Sequence, residues 1–290
     1  MGVFFFGLGY SSLATARWIH RLVAPDVPIA GTVRSEEKAA RLRAEGIRAH
    51  VFDGNSPSPT AREDILRATH VIHSIPPPGP QDPVLAFHRA DLDDAPDLQW
   101  LGYFSTVGVY GDANGDWIDE SAPARAMNTR GRNRIDTEQL WLAYARERGL
   151  PLLVLRLAGI YGPGRSAFDK LRAGTAQRIV KPNQVFNRIH VEDIGRVTAM
   201  AAKGKLGGIY NLADDTPAPP QDMITHAAQL ADVTPPPEIA FAQAELTPMG
   251  RSFYEENKRC SNAAIKQALG IELLYPSYRE GLAAILAEER

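Results

Sequence analysis

The sequence predicts an α/β fold of repeated strand–helix units on a parallel sheet. Apolar runs of strand length alternate with amphipathic stretches of helix length, which is how such units read in sequence. The first run passes through the glycine turn FGLGYSSLA directly into a helical pattern. At 290 residues, 44% of them apolar, the chain is large enough to bury a substantial core.

The elements follow in order. Apolar runs predict strands at Gly2–Phe6, Val27–Val33, Arg48–Phe52, His70–Ile75, Trp100–Ser105 and Leu152–Leu157, with two later ones near Arg188–Val191 and Ile209–Leu212. Amphipathic patterning predicts helices over Ser11–Leu22, Ser35–Glu45, Arg62–Ala68, Pro83–Ala95, Arg134–Arg148 and Val191–Lys203. Ser35 followed by Glu36 and Glu37 reads as an N-cap with an acidic first turn. Proline clusters at PPPGPQDP, TPAPP and TPPPE punctuate the rest, and the first follows a strand directly, where a loop would overhang a nucleotide.

Composition narrows the function. Acidic and basic residues number 34 and 32, so no bulk field holds the chain on nucleic acid or an anionic membrane, and a small-molecule partner is expected. No apolar run approaches the roughly 20 residues that span a bilayer. The FFF near the start lacks a charged flank and a cleavage site, so a cytoplasmic location is expected. Cys260 is the only cysteine, which excludes an intrachain disulfide and a cysteine-rich metal site. The seven histidines show no paired-ligand spacing, and no metal is expected.

FGLGYSSLA carries the first functional signal. A strand turning into a helix beneath a dinucleotide needs small residues, because the backbone passes within touching distance of a pyrophosphate. Gly7 and Gly9 supply two, and Ser12 stands where a third glycine is usual. Tyr10, Ser11 and Ser12 open the helix, whose first-turn N–H groups and positive dipole end suit phosphates. Without a ligand, the same residues are simply a glycine-rich turn. At the end of the second strand an acidic residue would bind an adenosine ribose, but here the sequence is GTVRSEEK. Arg34 can pair with a 2′-phosphate, so NADP is favoured, with NAD left open and a solvated loop arginine the alternative. Asp53 is an adenine contact or a turn former.

FGLGYSSLA, VIHSIPP, YFSTVGVYGD, RLAGIYGPGR, RIHVEDIGR and IYNLADD, in that order, resemble the extended short-chain dehydrogenase/reductase group, the NAD-dependent epimerase/dehydratase family. The resemblance covers the chain to about Asp215. It implies a Rossmann-type doubly wound parallel sheet with a smaller, mostly C-terminal substrate-binding domain. The cofactor domain would span residues 1–160, with 188–214 returning to it, and the substrate part 161–187 and 215–290. His73 and Ser74 of VIHSIPP join the cofactor-binding set.

The family's catalytic Ser or Thr falls on Thr106, four residues before Tyr110. Its YxxxK pair, anchored on Glu138, falls on Arg130 and Arg134, and neither matches. Arginine stays protonated at any working pH and cannot replace the tyrosine as proton carrier. Arg134 can supply positive charge, with a plain helix-surface arginine the alternative. Tyr110 and Tyr161 remain as candidate proton donors or as aromatics packed beside the cleft. The chain reads as an atypical member.

The resemblance places Arg130, Arg165, Arg188, Arg251 and Arg259 on segments that the family folds around its substrate, with Tyr161. Converging arginines would prefer an anion, such as the diphosphate of a nucleotide-linked sugar; scattered surface charges are the alternative. The expectation is an oxidoreductase-, epimerase- or dehydratase-like protein acting on a small, sugar-like or anionic molecule. A catalytically silent NAD(P)-binding sensor or scaffold protein is the other reading. By resemblance, a homodimer would pair through the helix Arg134–Arg148.

Overall fold

The phenylalanine-rich strand β1 (Val3–Phe6) is buried throughout, as a strand at the middle of a sheet covered on both faces must be. The computed structural model describes residues 1–289. After β1 come α1 (Tyr10–Leu22), β2 (Ile29–Val33), α2 (Glu36–Ala44), β3 (Arg48–Val51), α3 (Arg62–Leu66), β4 (His70–His73), α4 (Pro83–Asp93) and β5 (Trp100–Thr106). A 3-10 turn over Val107–Tyr110 leads to β6 (Trp117–Ile118), α5 (Thr129–Arg148), β7 (Leu152–Leu157) and β8 (Gly159–Tyr161). Next are α6 (Ala167–Arg172), β9 (Arg178–Val180), β10 (Arg188–His190), α7 (Val191–Gly204) and β11 (Gly208–Leu212). The chain continues through α8 (Pro220–Leu230), β12 (Glu238–Ala240), α9 (Pro248–Ser252), β13 (Arg259–Cys260), α10 (Ala263–Leu269) and α11 (Tyr278–Glu289).

Each strand expected from an apolar run is present. The short strands β6, β8, β9, β12 and β13, two or three residues each, give no such run. Helix α5 starts at Thr129 rather than Arg134, because its first turn packs through a buried Gly131 where an apolar count sees only polar residues. Ser35 caps α2, its hydroxyl accepting from the Lys38 amide at 3.4 Å.

Seven strands form one sheet in the order β11-β7-β5-β4-β1-β2-β3, and the pairs β1–β2, β1–β4, β2–β3 and β4–β5 are parallel. From β1 the chain winds outward through β2 and β3, then crosses back to lay β4 on the other side of β1. That reversal makes β1 and β4 the switch point, where an open α/β sheet leaves a crevice at the carboxyl ends of its strands.

The chain divides into two compact units. The first holds Met1–Val109, Thr129–Arg156 and Ile194–Tyr210; the second holds Tyr110–Asn128, Leu157–Asp193 and the chain from Asn211 onward. Residues 110–128 therefore fall in the second unit, not in the expected 1–160 block. The cause is local: β6 pairs with β13, and the Asp112 carboxylate accepts the Asn257 amide at 2.6 Å. In the second unit, Tyr161, Phe168, Tyr278 and Leu282 form a core cluster.

In the first unit α5 grips the end of β5 from two successive turns. Arg134 donates through Nη1 to the Tyr103 hydroxyl at 2.9 Å and to the Phe104 carbonyl at 3.0 Å. One turn on, the buried Glu138 carboxylate accepts the Ser105 hydroxyl and, at 2.7 Å, the Arg156 guanidinium of β7. An ion pair this deep is costly to break, because the surviving charge has no water to turn to. Glu138→Ala is expected to lower stability by about 3–5 kcal/mol in urea unfolding. A loss within the ±0.5 kcal/mol typical of surface positions would show that the pair carries no such strain.

Candidate functional site

The carboxyl edge of the first unit's sheet is lined by the turn after β1. Gly7 has φ of +96°, and a Cβ there would lie 2.7 Å from the Ser74 Oγ. Only glycine fits this left-handed, close-packed position. The Gly7 N–H donates to the Thr32 hydroxyl at 3.0 Å and the Leu8 N–H to the Thr32 carbonyl at 2.7 Å, which ties the turn to β2. Ser74 at the end of β4 donates to the Gly7 carbonyl at 2.7 Å, and Ser12 in α1 donates to Ser74 at 3.1 Å. Gly7, Ser12 and Ser74 thus meet at the switch point.

Gly9 differs: it is the extended N-cap of α1, and a Cβ built there meets nothing within 4 Å. The space in front of it is open, α1 has no acidic residue in its first turn, and Gly9 supplies no capping side chain. Ser11 and Ser12 lie ahead of the first full intrahelical acceptor, so their N–H groups stand at the positive end of the helix dipole. Tyr10 opens the helix, half-buried. This cradle fits a diphosphate.

Arg34 is exposed at the tip of β2 and makes no ion pair among the described residues. Burial, then the positive charges of Arg41 and Arg34, lower the Lys38 ammonium below its ordinary value. Glu36 is drawn away to Arg43. The tip therefore carries clustered positive charge. Asp53 is fully exposed and forms a turn, its carboxylate accepting the Asn55 amide at 2.9 Å. That bond holds its carboxyl below the usual range.

His73 serves this edge from behind rather than facing it. It is fully buried, stacked between Tyr103 and Trp141, with Nε2 on the Asp82 carboxylate at 2.7 Å and Nδ1 receiving the Ile75 amide at 3.4 Å. Asp82 also caps α4 through the Leu85 amide. Burial pushes the Asp82 carboxyl up, but His73 and that amide outweigh it and hold it low. The proline-rich loop is thereby fastened at both ends. Asp82 escaped the sequence reading, although Asp followed by Pro83 at a helix start is a legible cap.

The Thr106 Oγ1 ends β5 and accepts the Gly108 amide at 3.1 Å. Arg134 lies over the Tyr103 ring at 5.7 Å with its Nη1 committed to β5. Burial pushes the Tyr103 phenol up to about 12, against the pull of Arg134. Arg130 is exposed on the first turn of α5.

The second unit takes up the other candidates separately. Tyr110 donates to the Asn211 Oδ1 at 2.7 Å, and Tyr161 to the Ser277 carbonyl at 3.4 Å. Arg188 is buried and donates through Nη1 and Nη2 to the carbonyls of Phe186, Ala218 and Pro219. Arg259 donates to the Gly115 carbonyl. Arg251 and Lys181 both lie over the Phe241 ring, at 5.0 and 5.5 Å, whereas Arg165 is exposed. No group of three metal-ligating side chains, and no helix long and apolar enough to cross a membrane, occurs among the described residues.

Residues 95–213 match the model of the NAD dependent epimerase/dehydratase family. A functionally unknown conserved protein from Silicibacter pomeroyi is 42% identical, with a TM-score of 0.86 over 100% of this chain and 99% of that one. A putative NAD-dependent epimerase/dehydratase from Methylobacillus flagellatus is 25% identical, with a TM-score of 0.71 over 100% and 98%. The UDP-glucose 4-epimerase of Thermus thermophilus, in complex with NAD, shares the fold at 19% identity, with a TM-score of 0.72 over 99% and 98%. Protein YeeZ of Escherichia coli is 33% identical over 137 residues, 46% of this chain and 47% of its own length. The chain thus spans about half the length of the curated relatives it matches.

The two glycines make opposite demands, and substitution separates them. Gly7→Ala is expected to destabilise by about 1–3 kcal/mol, through strain and the Ser74 contact. Gly9→Ala is expected to keep the melting temperature but weaken binding of a reduced nicotinamide dinucleotide at least about tenfold in a fluorescence titration, since its methyl enters the open cradle. Unchanged dinucleotide affinity in Gly9→Ala would remove the cradle from the binding site.

Proposed function

Because the chain belongs to the NAD-dependent epimerase/dehydratase family, we propose that it binds NADP at the carboxyl edge of β1, β2 and β4 and transfers hydride to or from a carbonyl or alcohol carbon of a small molecule. The observation that carries this reading is the open space before Gly9 at the switch point, flanked by a glycine turn that nothing bulkier could form. The fold shared with an epimerase that holds NAD supports a nicotinamide dinucleotide.

Gly9 and the first turn of α1 hold the diphosphate, while Arg34, with Lys38 beside it, holds the 2′-phosphate. The bound nicotinamide supplies the hydride acceptor or donor. Thr106 accepts from Gly108 and so keeps its own hydroxyl proton to donate to a substrate oxygen. Arg134 supplies positive charge at the end of β5 and no proton.

A second reading, cofactor binding without turnover, has its own support. The hydroxyls of Tyr103, Tyr110 and Tyr161 are all buried, and each is engaged within its own unit. A protein built this way would report or retain the cofactor.

Incubating the purified protein with NADPH and a panel of aldehydes, ketones and nucleotide sugars, followed at the nicotinamide absorbance, decides between them. Turnover is expected, and Thr106→Val is expected to cut kcat/KM about a hundredfold; tight NADPH binding with no turnover supports the second reading. Arg34→Ala is expected to weaken NADPH about tenfold, or ~1.4 kcal/mol, and leave NADH unchanged. Equal affinity for both cofactors in the parent protein would remove the NADP assignment.

A further inference from the structure

A half-open pocket of about 250 Å³ indents the second unit, walled by one stretch of chain: Tyr110, Asp112, Ile118, Pro123, Arg125 and Met127 with neighbouring alanines, the Asp112 and Arg125 side chains lying at its exposed rim. Its two ends are drawn together at Gly111. That residue has φ of +73°, and a Cβ there would stand 2.4 Å from the Arg125 carbonyl, so only glycine lets the segment close on itself. The base is fixed independently. The Asp112 Oδ1 accepts the amides of Asn114 and Asn257, and the Tyr110 hydroxyl is held by Asn211.

Two opposite charges line this cavity without pairing to each other. Arg125 makes no ion pair among the described residues, and the second carboxylate oxygen of Asp112 takes no hydrogen bond. The remaining wall is apolar. An arginine without an ion-pair partner and a carboxylate oxygen free to accept, both lining one largely apolar pocket, suit a ligand that carries an anion and a hydrogen-bond donor. Set against the ~30 Å³ that a water occupies in the liquid, the volume corresponds to about eight waters. Drug-sized ligands take pockets from about 300 Å³ upward, so the volume suits a small ligand better than a whole nucleotide-linked sugar.

We propose that this cavity binds a small carboxylic acid bearing a hydroxyl or ammonium group, its carboxylate on Arg125 and its donor on Asp112. As a statement about substrate this rests on the proposed function and names the substrate class; as a statement about binding it stands on the cavity alone.

Isothermal titration of the full chain with lactate, malate, serine and glutamate tests it, with propanoate and UDP-glucose as comparison ligands. At least one of the four acids is expected to bind with Kd below about 1 mM. Arg125→Gln is expected to weaken it at least about tenfold, and Asp112→Asn to abolish its advantage over propanoate. Met127 is 53% exposed, so Met127→Trp is expected to fold normally and block the pocket. Failure of all four acids to bind overturns the proposal, as does binding that survives both Arg125→Gln and Met127→Trp. UDP-glucose binding that Met127→Trp abolishes also overturns it. NADPH titrated into the same samples keeps the two ideas apart. NADPH binding without acid binding defeats the pocket alone, and acid binding without NADPH binding defeats the cofactor reading alone.

Discussion

Close backbone approach at the junction of β1 and α1 is the constraint on which the first unit depends. Gly7 must accept a left-handed conformation and a contact with the Ser74 hydroxyl that no Cβ allows. In exchange, the turn is fastened to β2 through Thr32 and to β4 through Ser74, so three strand ends are registered by one residue without a side chain. Only then can Gly9 present open space and a helix N-terminus at the switch point.

Behind that edge, buried polar pairs do the holding. His73 and Asp82 fasten the proline-rich loop, and Glu138 with Arg156 and Ser105 locks the end of β5. Such pairs add little net stability over an apolar core but specify one geometry, because each group left alone in a dry interior is costly. Arg134 belongs to the same pattern, being spent on Tyr103 and Phe104. Its place in the helix is that of a charge that also braces the strand carrying Thr106.

The second unit follows a different logic. Its strands are short and its segments are stapled by side chains reaching for backbone, as where Asp193 accepts the amides of Leu274 and Tyr275 and Lys258 donates to the Gly111 carbonyl. Loops held this way keep defined shapes without long strands. That is how residues 110–127 come to line a pocket of their own.

The α/β class, the seven strands of the main sheet and the glycine turn were legible in sequence because apolar periodicity and φ-permissive residues are local properties. The arginines were legible only as charges. Whether Arg34 stays free, Arg188 is buried on carbonyls or Arg134 turns onto β5 depends on partners far along the chain, and no local pattern encodes those. Asp82 was legible as a helix cap but not as the partner of His73, and residues 110–128 were placed in their unit by the pairing of β6 with β13. Sequence alone settled the strands and helices of the main sheet, and tertiary structure settled the short strands of the second unit and which polar groups meet. Burial makes each unpaired charge too costly to leave, so the assembled fold, not the local chain, selects the partners.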